Sequence, residues 1–249
     1  MKKKNFFDFN FENLKDFLIQ ELNIDNKKVS MRTNQIWQHI YQKGVFDIKN
    51  LTTFPLGLRE KLDSLVTLQI PKIKKKQISI DGTIKWLIKF FDDNEVECVY
   101  IPEKNRATLC ISSQVGCTLN CKFCHTGTQR LVKNLNFSEI INQVMIAKKE
   151  LNDWGEQKKI SNIVLMGMGE PFYNYDNVIK TLHVLTDEKG LAISKRKITL
   201  STSGVVPKIK MFKDDSDVNL AVSLHAAFDE IRNQLVPINK KWPISILLE

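Results

Sequence analysis

Apolar strand patterns alternate with amphipathic helix patterns from Ala107 to the end of the chain. The strand-like stretches are ATLCISS, NIVLMGMGEP, KITLSTSGVVP and VNLAVSLHAA, and residues with helical periodicity follow each of them. Parallel strands need a crossover connection, so repeated strand–helix units form a parallel sheet or barrel. We therefore predict an α/β fold in which residues 106–249 form a partial (β/α) barrel of about four βα units.

The first 72 residues have a different pattern and predict a small helical domain over residues 1–72. Its helices are expected in NFENLKDFLIQELN, RTNQIWQHIYQKGV and FPLGLREKLDSLVTL, where apolar residues recur at helical spacing. Pro71 and the lysine run at residues 72–76 predict a linker. From Gln77 the period changes to two, and Asp81-Gly82 predicts a tight hairpin turn, so residues 73–105 are predicted to form a β-hairpin extension or linker.

The sequence also predicts which residues cap two of the helices. Ser138 is the predicted N-cap of the helix that follows the first barrel strand, and Gly190 is predicted to close the next helix.

The formal net charge of the 249-residue chain is +9, with lysine runs at residues 2–4 and 72–76. Basic clusters of this kind favour a nucleic acid, RNA or DNA, as a partner, although a solvated lysine-rich surface is the alternative. No apolar run approaches the ~20 residues that a membrane-spanning helix needs, and the basic, then acidic and amphipathic start of the sequence leads us to expect no signal peptide. We expect a cytoplasmic monomer with no membrane partner. Thiols stay reduced there, so clustered cysteines indicate a metal or catalysis.

Three of the five cysteines, Cys117, Cys121 and Cys124, lie in one short loop after the first barrel strand. Three thiolates can hold three corners of a [4Fe-4S] cluster and leave one iron open to a substrate. The alternative is a Cys3His zinc site with His125 or a more distant histidine, as in a zinc-stabilised, non-catalytic RNA-binding module. The position of the loop favours the cluster, because barrels mount their chemistry at the C-terminal ends of strands.

Other residues suited to chemistry lie at the C-terminal ends of the next three strands. They are Gly169, Glu170, Ser201, Ser223, Leu224 and His225. Glycines let a ligand approach the backbone, a carboxylate can pair with an ammonium group, and a hydroxyl can bond to a ribose. The alternatives are an ordinary Gly-Pro turn with a surface glutamate, a capping serine and a core histidine.

Several ordered motifs together resemble one family. They are RATLCISSQVGCTLNCKFCHTG, LMGMGEPFYNYDNV, ITLSTSGVVP, AVSLHA and DEIRNQLVPINKKW, with MRTNQIWQHIYQKGV and LREKLDSL in the helical start. The chain resembles the RlmN/Cfr family of radical S-adenosylmethionine (SAM) RNA adenosine methyltransferases, and most of all its RlmN branch. The resemblance implies a radical-SAM type of partial barrel and a dual-specificity methyltransferase acting on adenine C2 in 23S rRNA and tRNA. The Cfr branch, which methylates C8, is the rival, and a radical SAM enzyme with a small-molecule substrate is a further alternative.

The resemblance also implies roles for individual residues. Cys117, Cys121 and Cys124 would bind a [4Fe-4S] cluster, and the six strand-end residues would contact S-adenosylmethionine. Glu97 would accept a proton, and Cys110 would resolve a covalent protein–RNA adduct. Two cofactor molecules, a methyl-cysteine intermediate and an electron donor such as a flavodoxin are implied as well. Cys98 matches no motif and is expected in the core.

One feature departs from the family pattern, because no cysteine follows Cys124. We expect the methyl-carrying cysteine in a C-terminal part of the fold that this chain lacks, either as a fragment or as a degenerate copy. The chain is then expected to assemble the cluster and to bind cofactor weakly without completing methyl transfer. The candidate RNA contacts are residues 72–76, the N-terminal helices and Lys240-Lys241.

Overall fold

The computed structural model describes residues 3–156 and 158–249, so the first lysine of the run at residues 2–4 lies outside the described residues. The N-terminal region contains three helices, α1 (Phe11–Leu22), α2 (Asn26–Tyr41) and α3 (Leu56–Leu65), flanked by two short strands, β1 (Lys4–Asn5) and β2 (Val66–Thr67). The short strands pair in parallel and bring both ends of the helical unit together.

The helical unit packs around an aromatic core. The rings of Trp37 and Tyr41 lie one helical turn apart, with centroids separated by 4.7 Å, and Phe6 packs against both. Trp37 also donates its indole N–H to Asp187 Oδ2 at 3.0 Å, which ties this unit to the following domain. The predicted helices are therefore confirmed, and their apolar faces form this core.

A seven-stranded sheet dominates the rest of the molecule. The strands that follow are β3 (Lys72–Ile78), β4 (Ile84–Lys89), β5 (Glu95–Pro102), β6 (Ala107–Cys110), β7 (Gln114–Val115), β8 (Lys133–Asn134), β9 (Asn162–Leu165), β10 (Ile198–Thr202) and β11 (Asn219–Val222). The helices are α4 (Phe137–Leu151), α5 (Tyr175–Thr186), α6 (Val206–Asp215), α7 (Asp229–Leu235) and α8 (Ile244–Leu248). The sheet order is β11-β10-β9-β6-β5-β4-β3, and β7 pairs separately with β8.

The four predicted barrel strands β6, β9, β10 and β11 are mutually parallel, with helices in the connections, as the α/β prediction requires. The remaining strands β3, β4 and β5 are antiparallel and continue the same sheet. The carboxyl ends of the parallel strands therefore meet at one edge, where the loops that carry the candidate site residues begin.

The predicted linker at residues 72–76 is wrong, because these residues belong to β3 and pair with β4. This is an edge strand with solvent on most of its side chains, and lysines are a common protection for such edges. The Asp81-Gly82 hairpin forms, but as a three-residue loop. Ser79 N donates to Thr83 O at 2.9 Å, and Gly82 adopts a φ of +82°.

The structure corrects both predicted helix caps. Asn136, not Ser138, caps α4, since its side chain accepts from Glu139 N while the Glu139 carboxylate accepts from Asn136 N. This capping box satisfies two helix-end donors at once. Helix α5 ends at Thr186, and the Gly190 N–H instead closes the following turn by donating to Asp187 O at 2.9 Å.

The two faces of the parallel sheet differ in burial. Leu109, Ile163 and Ile198 point to one face and are completely buried in the core shared with the helices. Cys110, Val164 and Thr199 point to the other face and are only half-buried. Because side chains alternate along a strand, this pattern leaves one concave, partly open face next to the strand ends.

The outermost parallel strand β11 leaves Leu220 37% and Val222 39% exposed at the sheet edge. Among the residues that the structure describes, no helix is long and apolar enough to cross a membrane.

Candidate functional site at the strand ends

The cysteine loop lies between β7 and β8, and close backbone contacts hold its two ends together. Gly116 adopts a φ of +75°, and a Cβ there would lie 2.1 Å from Arg130 O. Only glycine tolerates this approach. Cys117 N donates to Gln129 O at 3.3 Å on the returning arm of the loop. Two tight turns follow, in which Cys124 N donates to Cys121 O at 3.1 Å and Gly127 N to Cys124 O at 3.0 Å.

The three cysteines of this loop line one cavity of about 270 Å³ at the carboxyl end of the parallel sheet. Of the strand-end candidates, those that also line it are Gly169, Glu170, Ser201, Ser223 and His225. Burial raises the pKa of the Cys117 and Cys121 thiols, so both stay protonated at neutral pH until a metal binds them.

The arrangement of the three thiols is compatible with an iron–sulfur cluster. In residues 3–156 and 158–249, no three His, Cys, Asp or Glu side chains converge closely enough to share one metal ion. An iron–sulfur cluster does not require such convergence, because each thiolate binds a different iron atom. Of the histidines that the zinc alternative could use as a fourth ligand, His125 is exposed and does not line the cavity, whereas the more distant His225 does line it.

Glu170 is the buried carboxylate of the cavity, with only 3% of its surface exposed. It accepts hydrogen bonds from Thr202 Oγ1 at 2.8 Å, Ser203 N at 2.7 Å and Phe172 N at 3.2 Å. Burial raises its pKa, although these donors lower it in part. The carboxylate is fixed by the protein and still borders the cavity, where it can accept from a cationic ligand.

Two positions in the Glu170 loop have no space for a side chain, because neighbouring residues of the protein lie too close. A Cβ on Gly167 would lie 2.6 Å from Ser112 Oγ, and one on Gly169 would lie 2.5 Å from Gln114 Cβ. Gly169 also has a φ of +99°, which disfavours any side chain there. The ends of β6 and β9 therefore approach each other closely, which brings the cysteine loop next to Glu170.

His225 lies in a strained turn that borders the cavity. Its φ is +59°, and Ala226 N donates across it to Leu224 O at 2.8 Å. The His225 ring packs on the ring of Phe123 with a centroid distance of 3.8 Å, which joins β11 to the cysteine loop. Phe123 is itself 50% exposed. Leu224 does not line the cavity.

Glu97 and Cys110 do not line the cavity but share the open face of the sheet. Val99 pairs with Cys110 across the strands, so Glu97, two residues before Val99, points to the same face. The Glu97 side chain is 47% exposed and forms an ion pair with Lys85 at 2.9 Å. Burial raises the pKa of Cys110 to about 11, and the backbone of Met166, which lines the cavity, lowers it in part.

Sequence reasoning placed Cys98 correctly in the core, where it is fully buried, and missed three contributors to the site. Thr202 and Ser203 hold the Glu170 carboxylate, whereas the prediction selected only their neighbour Ser201. Arg232 lies within the quoted DEIRNQLVPINKKW motif, but no role was assigned to it. The repeated hydroxyls in STSG were the available signal for the first two.

Comparison with known proteins agrees with this architecture. Residues 111–247 match the family model of the radical SAM superfamily, and residues 4–68 match that of the ribosomal RNA large subunit methyltransferase N-terminal domain. The crystal structure of a radical SAM methyltransferase from Sphaerobacter thermophilus superposes with a TM-score of 0.87 at 34% identity, covering 98% of this chain and 70% of that one.

Two relatives are described as dual-specificity RNA methyltransferase RlmN. The protein from Jannaschia sp. (strain CCS1) is 49% identical over 92% of this chain and 60% of its own length. The protein from Bradyrhizobium diazoefficiens is 50% identical over 92% of this chain and 60% of its own length. The chain thus spans about 60% of the length of these relatives.

The fold, with its cysteine-lined cavity at the strand ends, defines the class as the radical SAM superfamily. Within that superfamily the chain belongs to the RlmN family. The predicted family and the predicted partial-barrel fold are therefore confirmed.

Proposed function

We propose that this chain forms the cluster- and cofactor-binding part of an RNA methyltransferase that modifies adenine C2 in 23S rRNA and tRNA. The observation that carries the proposal is one cavity that joins three cysteines of one loop to a buried carboxylate at the strand ends. Membership of the RlmN family supports the reaction and the RNA substrates. The division into 1–72, 73–105 and 106–249 remains our proposal for the domains.

The residues of the cavity fit a [4Fe-4S] cluster and S-adenosylmethionine. Cys117, Cys121 and Cys124 would hold three irons, and Glu170 would accept from the ammonium group of the cofactor. Ser201 and Ser223 offer hydroxyls, and His225 offers backbone groups, at the same cavity. When bound, the cluster supplies one electron for reductive cleavage of S-adenosylmethionine. We propose two cofactor molecules per cycle and a small flavodoxin-like electron donor.

Cys110 and Glu97 would act on the open face next to this cavity. A thiol with a pKa of about 11 is protonated at neutral pH, so Cys110 needs a base before it can attack as a thiolate. Glu97 lies on the same face with an exposed carboxylate, where a substrate base can reach it. We propose that Glu97 accepts a proton during the reaction and that Cys110 resolves the protein–RNA adduct.

RNA would approach this open face with the target base extracted from its stack. Two of the four lysines in the run at residues 72–76 are in ion pairs, Lys74 with Glu95 at 2.6 Å and Lys76 with Glu150 at 3.0 Å. Lys240 and the N-terminal helices remain proposed contacts. We also propose a cytoplasmic location, where the thiols stay reduced.

The test is anaerobic reconstitution with iron and sulfide, followed by dithionite and S-adenosylmethionine, with 5′-deoxyadenosine as the measured product. We expect a brown protein that forms the product. The alanine variants of Cys117, Cys121 and Cys124 should lose both iron and product. Cys98→Ala is the matched control, since Cys98 is a buried core cysteine and its variant should keep both. A colourless chain that holds one zinc ion would contradict the proposal.

A further inference from the structure

Arg232 is a fully buried cation behind the cavity. It lies on α7 with 0% of its surface exposed, and its guanidinium donates to three backbone carbonyls. Nη2 donates to Ser203 O at 2.8 Å and Ser223 O at 3.3 Å, and Nε donates to Leu224 O at 3.0 Å. These acceptors belong to the loops after β10 and β11, so one side chain joins both loops.

No ion pair within the described part of the chain includes Arg232. Asn239 connects Arg232 to the carboxylate of Asp229. Arg232 Nη1 donates to Asn239 Oδ1 at 2.5 Å, and Asn239 Nδ2 donates to Asp229 Oδ1 at 2.7 Å. A buried charge without a direct acidic partner is costly, and such a charge persists when hydrogen bonds satisfy it. Desolvation accordingly lowers the pKa of Arg232, while Asp229 and Cys121 raise it.

The loops that Arg232 holds also border the cavity. Ser203 and Ser223 line it, and Ser203 N donates to the Glu170 carboxylate at 2.7 Å. Leu224 O accepts from Arg232 and also from Ala226 N across the strained His225. A positive φ at a residue other than glycine persists only when the surrounding contacts enforce it, and the Arg232 bond is one of these contacts.

We propose that Arg232 is a positioning residue that locks the loops after β10 and β11 and thereby places Ser203, Ser223 and His225 around the cofactor cavity. The planar fork of the guanidinium reaches three carbonyls in two directions, which a lysine ammonium cannot reproduce. The loop-locking part of this inference rests on the geometry alone. The part that concerns S-adenosylmethionine rests on the proposed function.

The first experiment measures amide hydrogen exchange in the cofactor-free chain for Arg232→Lys and Arg232→Gln. We expect faster exchange confined to residues 203–205 and 223–226. Arg196→Gln is the matched control, because Arg196 is exposed and its side chain should not affect these loops. Asn239→Ala removes the acceptor of Nη1 together with the Asn239 bonds to Asp229 and Asn233, but it keeps the three carbonyl bonds of Arg232. This milder variant should therefore show the same pattern at a smaller factor, even if the Arg232 variants do not fold. Unchanged exchange, or an increase spread evenly over the domain, would overturn the proposal.

The second experiment measures the dissociation constant of S-adenosylmethionine on the reconstituted chain without reductant. We expect about tenfold or greater weakening in Arg232→Lys and Arg232→Gln with unchanged iron content. Guanidinium added below denaturing concentrations should restore part of the affinity to Arg232→Gln, whereas urea should not. Parent-like affinity in a folded variant would overturn the positioning role. A parent chain that binds no S-adenosylmethionine would instead overturn the proposed function, and the exchange experiment would still decide the role of Arg232.

Discussion

The two halves of the cavity hold their strand-end loops by different means. The loops after β6 and β9 form an amide-held half, in which neutral side chains bind the backbone. Gln143 accepts from Ser112 N at 2.8 Å and donates to Ser112 O at 2.9 Å, and Asn174 donates to Ser113 O at 2.8 Å. The loops after β10 and β11 form an arginine-held half, in which one cation binds three carbonyls.

The difference has an electrostatic consequence. An amide satisfies a donor and an acceptor together and leaves no net charge in the interior. A guanidinium satisfies only acceptors, so its charge must be balanced by dipoles and by anions farther away. Burial lowers the pKa of the Arg232 guanidinium, and the nearby Asp229 and Cys121 raise it in part.

The largest expected effect is on the amide-held half. Gln143→Leu leaves Ser112 N and O buried without partners, so the free energy of unfolding should fall by about 2–5 kcal/mol. Urea denaturation measures this change. Gln20→Leu, at an exposed position on α1, is the control and should change little. Equal free energies of unfolding for Gln143→Leu and Gln20→Leu would show that the Gln143 amide does not hold the loop after β6.

The next effect comes from the close approach of the two loops in the same half. Gly169→Ala places a methyl group against Gln114 at a φ of +99° and should cost about 1–3 kcal/mol. Gly57→Ala is its control, because nothing lies within 4 Å of a Cβ at this helical position. That substitution should be neutral or stabilising by about 0.5–1 kcal/mol in the same denaturation assay. A neutral Gly169→Ala would show that the strand ends can separate without cost.

A smaller effect is expected where the two halves meet. Thr202→Val removes the hydroxyl that donates to Glu170 at 2.8 Å, and should cost about 1–2 kcal/mol. Thr199→Val tests the same chemical change on the open face of β10, where it should stay within about 0.5 kcal/mol. Thermal or urea unfolding of both variants gives the difference, and equal losses would contradict the role assigned to Thr202.

The smallest expected effect is a change in the free energy of unfolding with pH. Burial raises the pKa of Glu170 in the folded chain, so the folded state holds more protons than the unfolded state just above the ordinary carboxyl pKa. The free energy of unfolding should therefore fall as pH rises through that window. Glu170→Gln cannot lose a proton and should flatten this part of the profile. Equal slopes in the parent chain and in Glu170→Gln would show that the carboxylate is not buried in solution.

The sequence predicted the parts of the fold that follow from local patterns. The spacing of Cys117, Cys121 and Cys124 and the four apolar strands placed the cavity correctly. The first five residues of β3 were predicted as a linker because an exposed, lysine-rich edge strand has no apolar alternation, and only its pairing with β4 makes it a strand. The Asn136 cap was missed because Ser138 is an equally good capping residue, and the two are distinguished only by geometry.

Arg232 shows the limit of sequence reasoning most clearly. An arginine between acidic and polar residues is usually a surface residue, and its partners here are backbone carbonyls that no side-chain pattern encodes. The fold brings those carbonyls together from two separate loops. A buried cation of this kind can therefore be found only after the strand order is known.

Electron paramagnetic resonance of the reconstituted, reduced chain, with and without S-adenosylmethionine, tests directly whether this cavity brings cluster and cofactor together. We expect a reduced [4Fe-4S] signal that changes when S-adenosylmethionine is added, because three cysteines leave one iron open to the cofactor. The signal should be absent from Cys121→Ala and present in Cys98→Ala. A cluster signal that is the same with and without S-adenosylmethionine would contradict the claim that this cavity brings cluster and cofactor together.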